Sequence, residues 1–152
     1  MELQVRDARL TDIERITGLM GRADESWTPD RTDDAADVLR QMVYLPNATV
    51  IVALDGRMLV GAAVLALRPS VAAGGLVGAV DLLAVEPGNE LDGVVEALLQ
   101  ELVRSARNKG CVVLESDLPR DADQLSRWES AGFSVSGPLV RRTLVRATAL
   151  SR

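Results

Sequence analysis

With 152 residues, 47% of them hydrophobic, and a net charge of −5, the chain has the size and composition of a single compact domain, 1–152, with a sizeable core. The sequence has no histidine and one cysteine, Cys111, which excludes zinc sites of the His/Cys kind, Ser-His and Cys-His nucleophilic pairs, and an internal disulfide. Dispersed basic residues and 3% aromatic content argue against a nucleic-acid partner, and no apolar run reaches the ~18 residues of a membrane span, so a cytoplasmic protein with no resident metal is expected.

In chain order, LQVRD at 3–7 reads as a short strand, and Thr11-Asp12-Ile13-Glu14 as a capping box that opens a helix to about Met20. An acidic connector, GRADESWTPDRTDD, leads to a second helix over Asp33–Tyr44, which Pro46-Asn47 ends. The period then changes. ATVIVALDGRMLVGAAVLAL places two strand-like runs around Asp55-Gly56, a dipeptide suited to a tight hairpin, and LVGAVDLLAV follows as a third antiparallel run.

In EPGNELDGVVEALLQ, Pro87-Gly88 breaks the chain, Asn89 can cap, and Leu91, Val94, Val95, Leu98, Leu99, Leu102, Val103 and Ala106 recur at helical spacing. Lys109-Gly110 ends this helix and CVVLESD makes the next strand, so the crossover places two strands in parallel and the sheet is mixed. A short helix over Ala122–Ser130 and a tail, FSVSGPLVRRTLVRATAL, with two last strands around Gly137-Pro138 complete the chain.

The order strand, two helices, two strands, then strand-helix-strand and helix-strand-strand resembles the GCN5-related N-acetyltransferases, the GNAT superfamily. LLAVEP, Gly93-Val94-x-x-Ala97-Leu98-Leu99 and LSRWESAGF carry the resemblance most closely. It implies an α/β (α+β) GNAT acyl-CoA N-acyltransferase fold, a mixed six- to seven-stranded sheet flanked by about four helices. It also implies transfer of an acetyl or other acyl group from acyl-CoA to a primary amine, on a small molecule or a protein, by direct attack.

In that family the fourth and fifth strands splay apart around the pantetheine arm, and the pyrophosphate rests on the start of the crossover helix, an anion on free backbone N–H groups. Carried onto this chain, the cofactor-binding positions are Leu83, Val85, Leu91, Asp92, Gly93, Val94, Val95, Asp121 and Trp128. Of the family's Gly-rich cofactor loop only Gly93 is retained, and Glu90 stands where Arg or Gln is usual. Two unit charges ~4 Å apart repel by about 4 kcal/mol at an effective dielectric of ~20, so acetyl-CoA is expected to bind weakly. The alternative reading of these acids is a favourable interaction with the helix dipole.

Asp81 is the ionisable residue of the fourth strand, and the resemblance makes it the catalytic base. Period-2 alternation places it on one face with Ala79, Leu83 and Val85, either buried with a raised pKa or exposed to solvent. Glu115 on the next strand and Trp27 in the acidic connector are candidate acceptor-binding residues; the other reading of the connector is a solvated loop. The family's late Asn and Tyr positions hold Asp121 and Trp128, and an indole cannot protonate a thiolate. A catalytically degenerate binding or regulatory module on the same fold therefore stands as the alternative. A scaffold in a homodimer, with TLVRATAL as a sheet edge, is the third reading.

Overall fold

The structure, a computed structural model, describes residues 2–89, 93–119, 121–137 and 142. Five strands form one sheet in the order β1-β2-β3-β4-β5: β1 Leu3–Asp7, β2 Ala48–Asp55, β3 Met58–Ser70, β4 Gly75–Val85 and β5 Cys111–Ser116. The first four are antiparallel neighbours, and β5 lies parallel to β4. Helices α1 Ile13–Ala23 and α2 Pro29–Met42 precede β2, α3 Val94–Asn108 crosses from β4 to β5, and α4 Ala122–Ser130 follows β5.

Both faces of the sheet are covered, which is why β2 to β4 are apolar almost throughout rather than alternating. On one face Ile13, Ile16, Leu19 and Met20 of α1 and Ala36 and Leu39 of α2 pack over Val50, Val52, Ala62, Val64 and Ala84. On the other, Val94, Val95, Leu98, Leu99, Leu102 and Ala106 of α3 pack over Ile51, Ala53, Ala63, Leu65, Val80 and Val85. The spacing of these helix residues is that of one apolar stripe per helix. Gly61 of β3 lets α3 come down onto the sheet, since a Cβ there would lie 2.8 Å from Val94 Cγ1 and 3.0 Å from Leu98 Cδ1.

The expected elements recur with three differences. The start of α1 is organised by Asp12 rather than by a Thr11/Glu14 box: a short 3-10 turn, Leu10–Asp12, precedes the helix, and the Asp12 carboxylate accepts from the Arg9 backbone N–H at 2.8 Å. Asp12 is 1% exposed and is gripped by Arg6 at 2.7 Å and Arg15 at 2.6 Å, which joins β1 to α1. The hydrogen bond from Arg6 holds its carboxyl well below the usual range, against the opposing effect of burial.

Second, α2 begins four residues earlier than expected, because Thr28 caps it by accepting from the Arg31 N–H and Pro29 occupies its first turn. Third, the described sheet has five strands rather than six or seven. Phe133–Gly137 is irregular, and the rest of the expected tail strands, TLVRATAL included, falls outside the described residues. No described helix is long and apolar enough to cross a membrane.

Candidate functional site

Pairing between β4 and β5 runs from Leu76↔Cys111 to Val80↔Ser116 and stops there, although β4 continues to Val85. β5 itself ends at Ser116, so among the described residues the two parallel strands part halfway along β4. The parting coincides with a break in the β3–β4 ladder: Leu65 faces Val80 and Val64 faces Leu82, which leaves Asp81 as an extra residue in a β-bulge. A bulge leaves the inserted residue out of the ladder and re-aims the strand.

This bulge corrects the face expected for Asp81. Val80, Leu83 and Val85 all pack in the cluster under α3, so the two residues between Val80 and Leu83, Asp81 and Leu82, belong to the opposite face, that of α1 and α2. Alternation carried through the bulge misplaced Asp81 with Leu83 and Val85. Asp81 is exposed, so of the two environments weighed for it the solvent-facing one holds. Leu83 is half-buried and Val85 is 8% exposed, and both side chains line the α3 side of the parted strands.

At the other end of this gap lies the start of α3. Gly93 is its N-cap with φ 82°, a left-handed conformation that glycine adopts without strain, and as a glycine it offers the helix no side-chain cap of its own. The first intrahelical bond is Ala97 N–H to the Gly93 carbonyl at 3.0 Å, so the N–H groups of Val94, Val95 and Glu96 precede the ladder, the usual situation of an anion-receptive helix start. The side chains of Val94 and Val95 are fully buried and serve the core; only their backbone is suited to an anion. Glu96 adds a carboxylate to the first turn, and Arg127 of α4 stands 3.7 Å from it. Leu91 and Asp92, like Glu90, lie outside the described residues.

These backbone donors and the apolar strand gap fit a phosphate-bearing cofactor with an extended apolar arm. The two other predicted contacts have structural duties. Asp121 is the N-cap of α4, its carboxylate accepting from Gln124 N–H at 2.8 Å. Trp128 is 6% exposed within the α3-side core and meets Phe133 edge to face, with ring centroids 4.9 Å apart at 69°.

On the α1/α2 side, each candidate acceptor residue already holds an arginine of its own chain. The Arg31 guanidinium lies 3.9 Å from the Trp27 ring centroid, and Arg68 Nη2 donates to Glu115 Oε1 at 2.8 Å across β4. Sequence reasoning missed both arginines, because nothing in local spacing reveals a partner 47 residues away; the Trp27-x-x-x-Arg31 spacing across the start of α2 was the available signal for the other.

It also missed a bridge between the two halves of the site. Arg22 in the last turn of α1 donates from Nε to both Glu86 carboxylate oxygens at 3.0 Å, at the end of β4. Glu86 N–H in turn bonds Val60 O at 2.8 Å, and Glu86 O accepts from Asn89 N–H at 2.9 Å, which shapes the turn toward α3. Among the described residues no group of three or more His, Cys, Asp or Glu could hold a metal ion.

The model of the acetyltransferase (GNAT) family matches residues 16–133. No curated protein matches the sequence. Among solved structures, an integron cassette protein from the mobile metagenome of Cole Harbour Salt Marsh is 26% identical, with TM-score 0.80 over 94% of this chain and 91% of that one. An acetyltransferase from Trypanosoma brucei is 24% identical, with TM-score 0.73 over 94% and 100% of the two chains. A predicted acetyltransferase from Clostridium acetobutylicum, solved with acetyl-CoA, is 16% identical, with TM-score 0.77 over 93% and 96%.

Proposed function

The chain belongs to the acetyltransferase (GNAT) family, and on that footing we propose that it transfers an acetyl or other acyl group from acyl-CoA to a primary amine of a small molecule or a protein. The observation that supports this reading is the parting of β4 and β5 at the Asp81 bulge, aimed at the start of α3 behind Gly93. Bound between the strands, acyl-CoA supplies an activated thioester. The backbone N–H groups of Val94, Val95 and Glu96 would hold the phosphates, and Leu83 and Val85 would exclude water along the arm.

The amine arrives as an ammonium ion and must lose a proton before it can attack. Asp81, exposed on the face that α1 and α2 leave open, accepts that proton directly or through one water in this reading. The extra backbone unit of the bulge, outside the β3 ladder, supplies a donor where negative charge develops on the acyl oxygen. Nothing at Trp128 supplies a proton to the departing thiolate, because the indole is packed into the core; that proton comes from water.

Incubation with acetyl-CoA and a panel of amines, with release of free thiol as the readout, is the test. Thiol release that depends on an amine supports transfer; no release with any amine, together with no calorimetric binding of coenzyme A, sinks it. The packing of Trp128 also favours a second reading, a binding module without turnover on the same fold. Binding of coenzyme A without thiol release would single it out.

A further inference from the structure

The face from which an acceptor approaches is fixed by packing. Helix α3 closes one side of the β4/β5 gap, while the α1/α2 side is covered over Val52, Ala62, Val64 and Ala84 but opens toward Ala66 and Ala79, which are only half-buried in mid-sheet. Ala66 and Ala79 are cross-strand partners, and Ala79 in turn faces Glu115. Small side chains thus floor the open patch, and charged ones border it.

Asp81 lies two residues beyond Ala79 along β4, roughly 7 Å away by strand rise. At the other border Arg68, two residues beyond Ala66 on β3, reaches over β4 to Glu115. Arg68 is the one basic residue in β2, β3, β4 and β5. A guanidinium on an otherwise apolar strand, beside an open floor and opposite an acid, stands apart from a generally charged surface. Its bond to Glu115 is made by one nitrogen, Nη2, to one oxygen, and a guanidinium carries five N–H donors arranged as a fork that suits a carboxylate.

We propose that Arg68 binds a carboxylate of the acceptor, so that the acceptor is an amine that also carries a carboxylate, such as an amino acid, with its amine toward Asp81. This rests on the transfer reading above. Glu115 holds the guanidinium in place between turnovers and excludes a second cation from the same spot by offering it an occupied carboxylate. Because the Arg68–Glu115 pair is exposed on both sides, 56% and 51%, it adds little to folding, and Arg68 can be replaced without loss of the domain.

The test compares matched amines, each amino acid beside the amine that lacks its carboxylate, in the thiol-release assay. The native protein is expected to favour the carboxylated member of at least one pair by about tenfold in kcat/KM, the difference appearing in KM. Arg68→Gln should bring that ratio to within about threefold of unity, and Arg68→Lys should restore part of it, since an ammonium keeps the charge but not the fork. The affinity for coenzyme A, read by calorimetry, checks that each variant is folded.

No preference for any carboxylated member, or a loss in Arg68→Gln that falls equally on both members of a pair, overturns the proposal. If the protein binds coenzyme A but releases no thiol with any amine, the transfer reading has failed. Arg68 is then judged by calorimetric binding of the same pairs to the protein loaded with coenzyme A, where binding that does not depend on the carboxylate overturns it.

Discussion

Replacing Gly61 by alanine probes how closely α3 sits on the sheet. The added Cβ would lie 2.8 Å from Val94 Cγ1 and 3.0 Å from Leu98 Cδ1, whereas carbon atoms settle near 3.5–4.0 Å, so about 0.7–1 Å must be found. Leu98 and Val94 are fully buried, so relief comes from lifting the first turns of α3. Overpacking of this kind costs about 1–3 kcal/mol. Gly61 has no positive φ, so alanine fits its backbone and recovers about 0.4–1 kcal/mol from a stiffer unfolded chain. The net loss is about 1–2 kcal/mol, or a fall in Tm of about 2–8 °C for a domain of this length.

Because the lifted turns carry the N–H groups assigned to the phosphates, the same change should weaken coenzyme A about tenfold, as when part of a charge-assisted hydrogen bond is lost. Urea unfolding and calorimetric titration measure the two effects, and Val94→Ala in the Gly61→Ala background, which removes the nearer clash, should recover part of both. Unchanged stability together with unchanged affinity would refute the argument that α3 is seated at contact distance through Gly61.

Four further outcomes follow from the structure. Asp12→Ala strands two arginines that still reach solvent, at 21% and 45% exposure, so the loss is set below the ~3–5 kcal/mol of a fully buried pair, at about 2–3 kcal/mol in urea unfolding. Because the folded Asp12 carboxyl is held below its unfolded value, its stabilisation is complete above pH ~4 and is lost as pH falls through the folded pKa; Asp12→Asn should flatten that acid-side decline in a pH series of melts. Trp128→Ala should cost about 3–5 kcal/mol, since it empties a core site against Phe133, whereas a residue that merely lined the cofactor arm would cost far less. Asp81→Asn should lower kcat for amine transfer by about 10²–10⁴ and leave coenzyme A affinity unchanged, with recovery at high pH, where free amine no longer needs a base.

The fold was legible where one signal dominated. The apolar stripe of α3 and the Lys109-Gly110 stop formed where expected, and the hairpin signalled by Asp55-Gly56 formed with its turn one place on, at Gly56-Arg57, because Asp55 pairs with Met58. The start of α2 was also written locally, in Thr28-Pro29, but the acids around it read as loop because acids also favour a helix first turn. What was not legible is long-range. Arg22 with Glu86 and Arg68 with Glu115 are 64 and 47 residues apart, and only the folded sheet brings them together. For Trp128 and Asp121, composition could not separate a cofactor contact from core packing or a cap, since the same side chains serve both; burial of the one and a hydrogen bond of the other reveal the structural duty.

The bulge at Asp81 has a consequence for how this strand tolerates change in length. Omit that one residue and β4 reads as an unbroken alternation, with Gly78, Val80, Leu83 and Val85 toward α3 and Ala79, Leu82 and Ala84 toward α1 and α2. Asp81, beside Leu82 on the α1/α2 face, is therefore an inserted residue that packs in neither core, and its loss would leave both cores correctly dressed. Single-residue deletions elsewhere in a two-sided strand exchange its faces and are ruinous. Here deletion should instead straighten the sheet and draw Val85 and the turn toward α3 back by one strand step, about 3.4 Å, leaving a sound scaffold whose helix start no longer meets the gap.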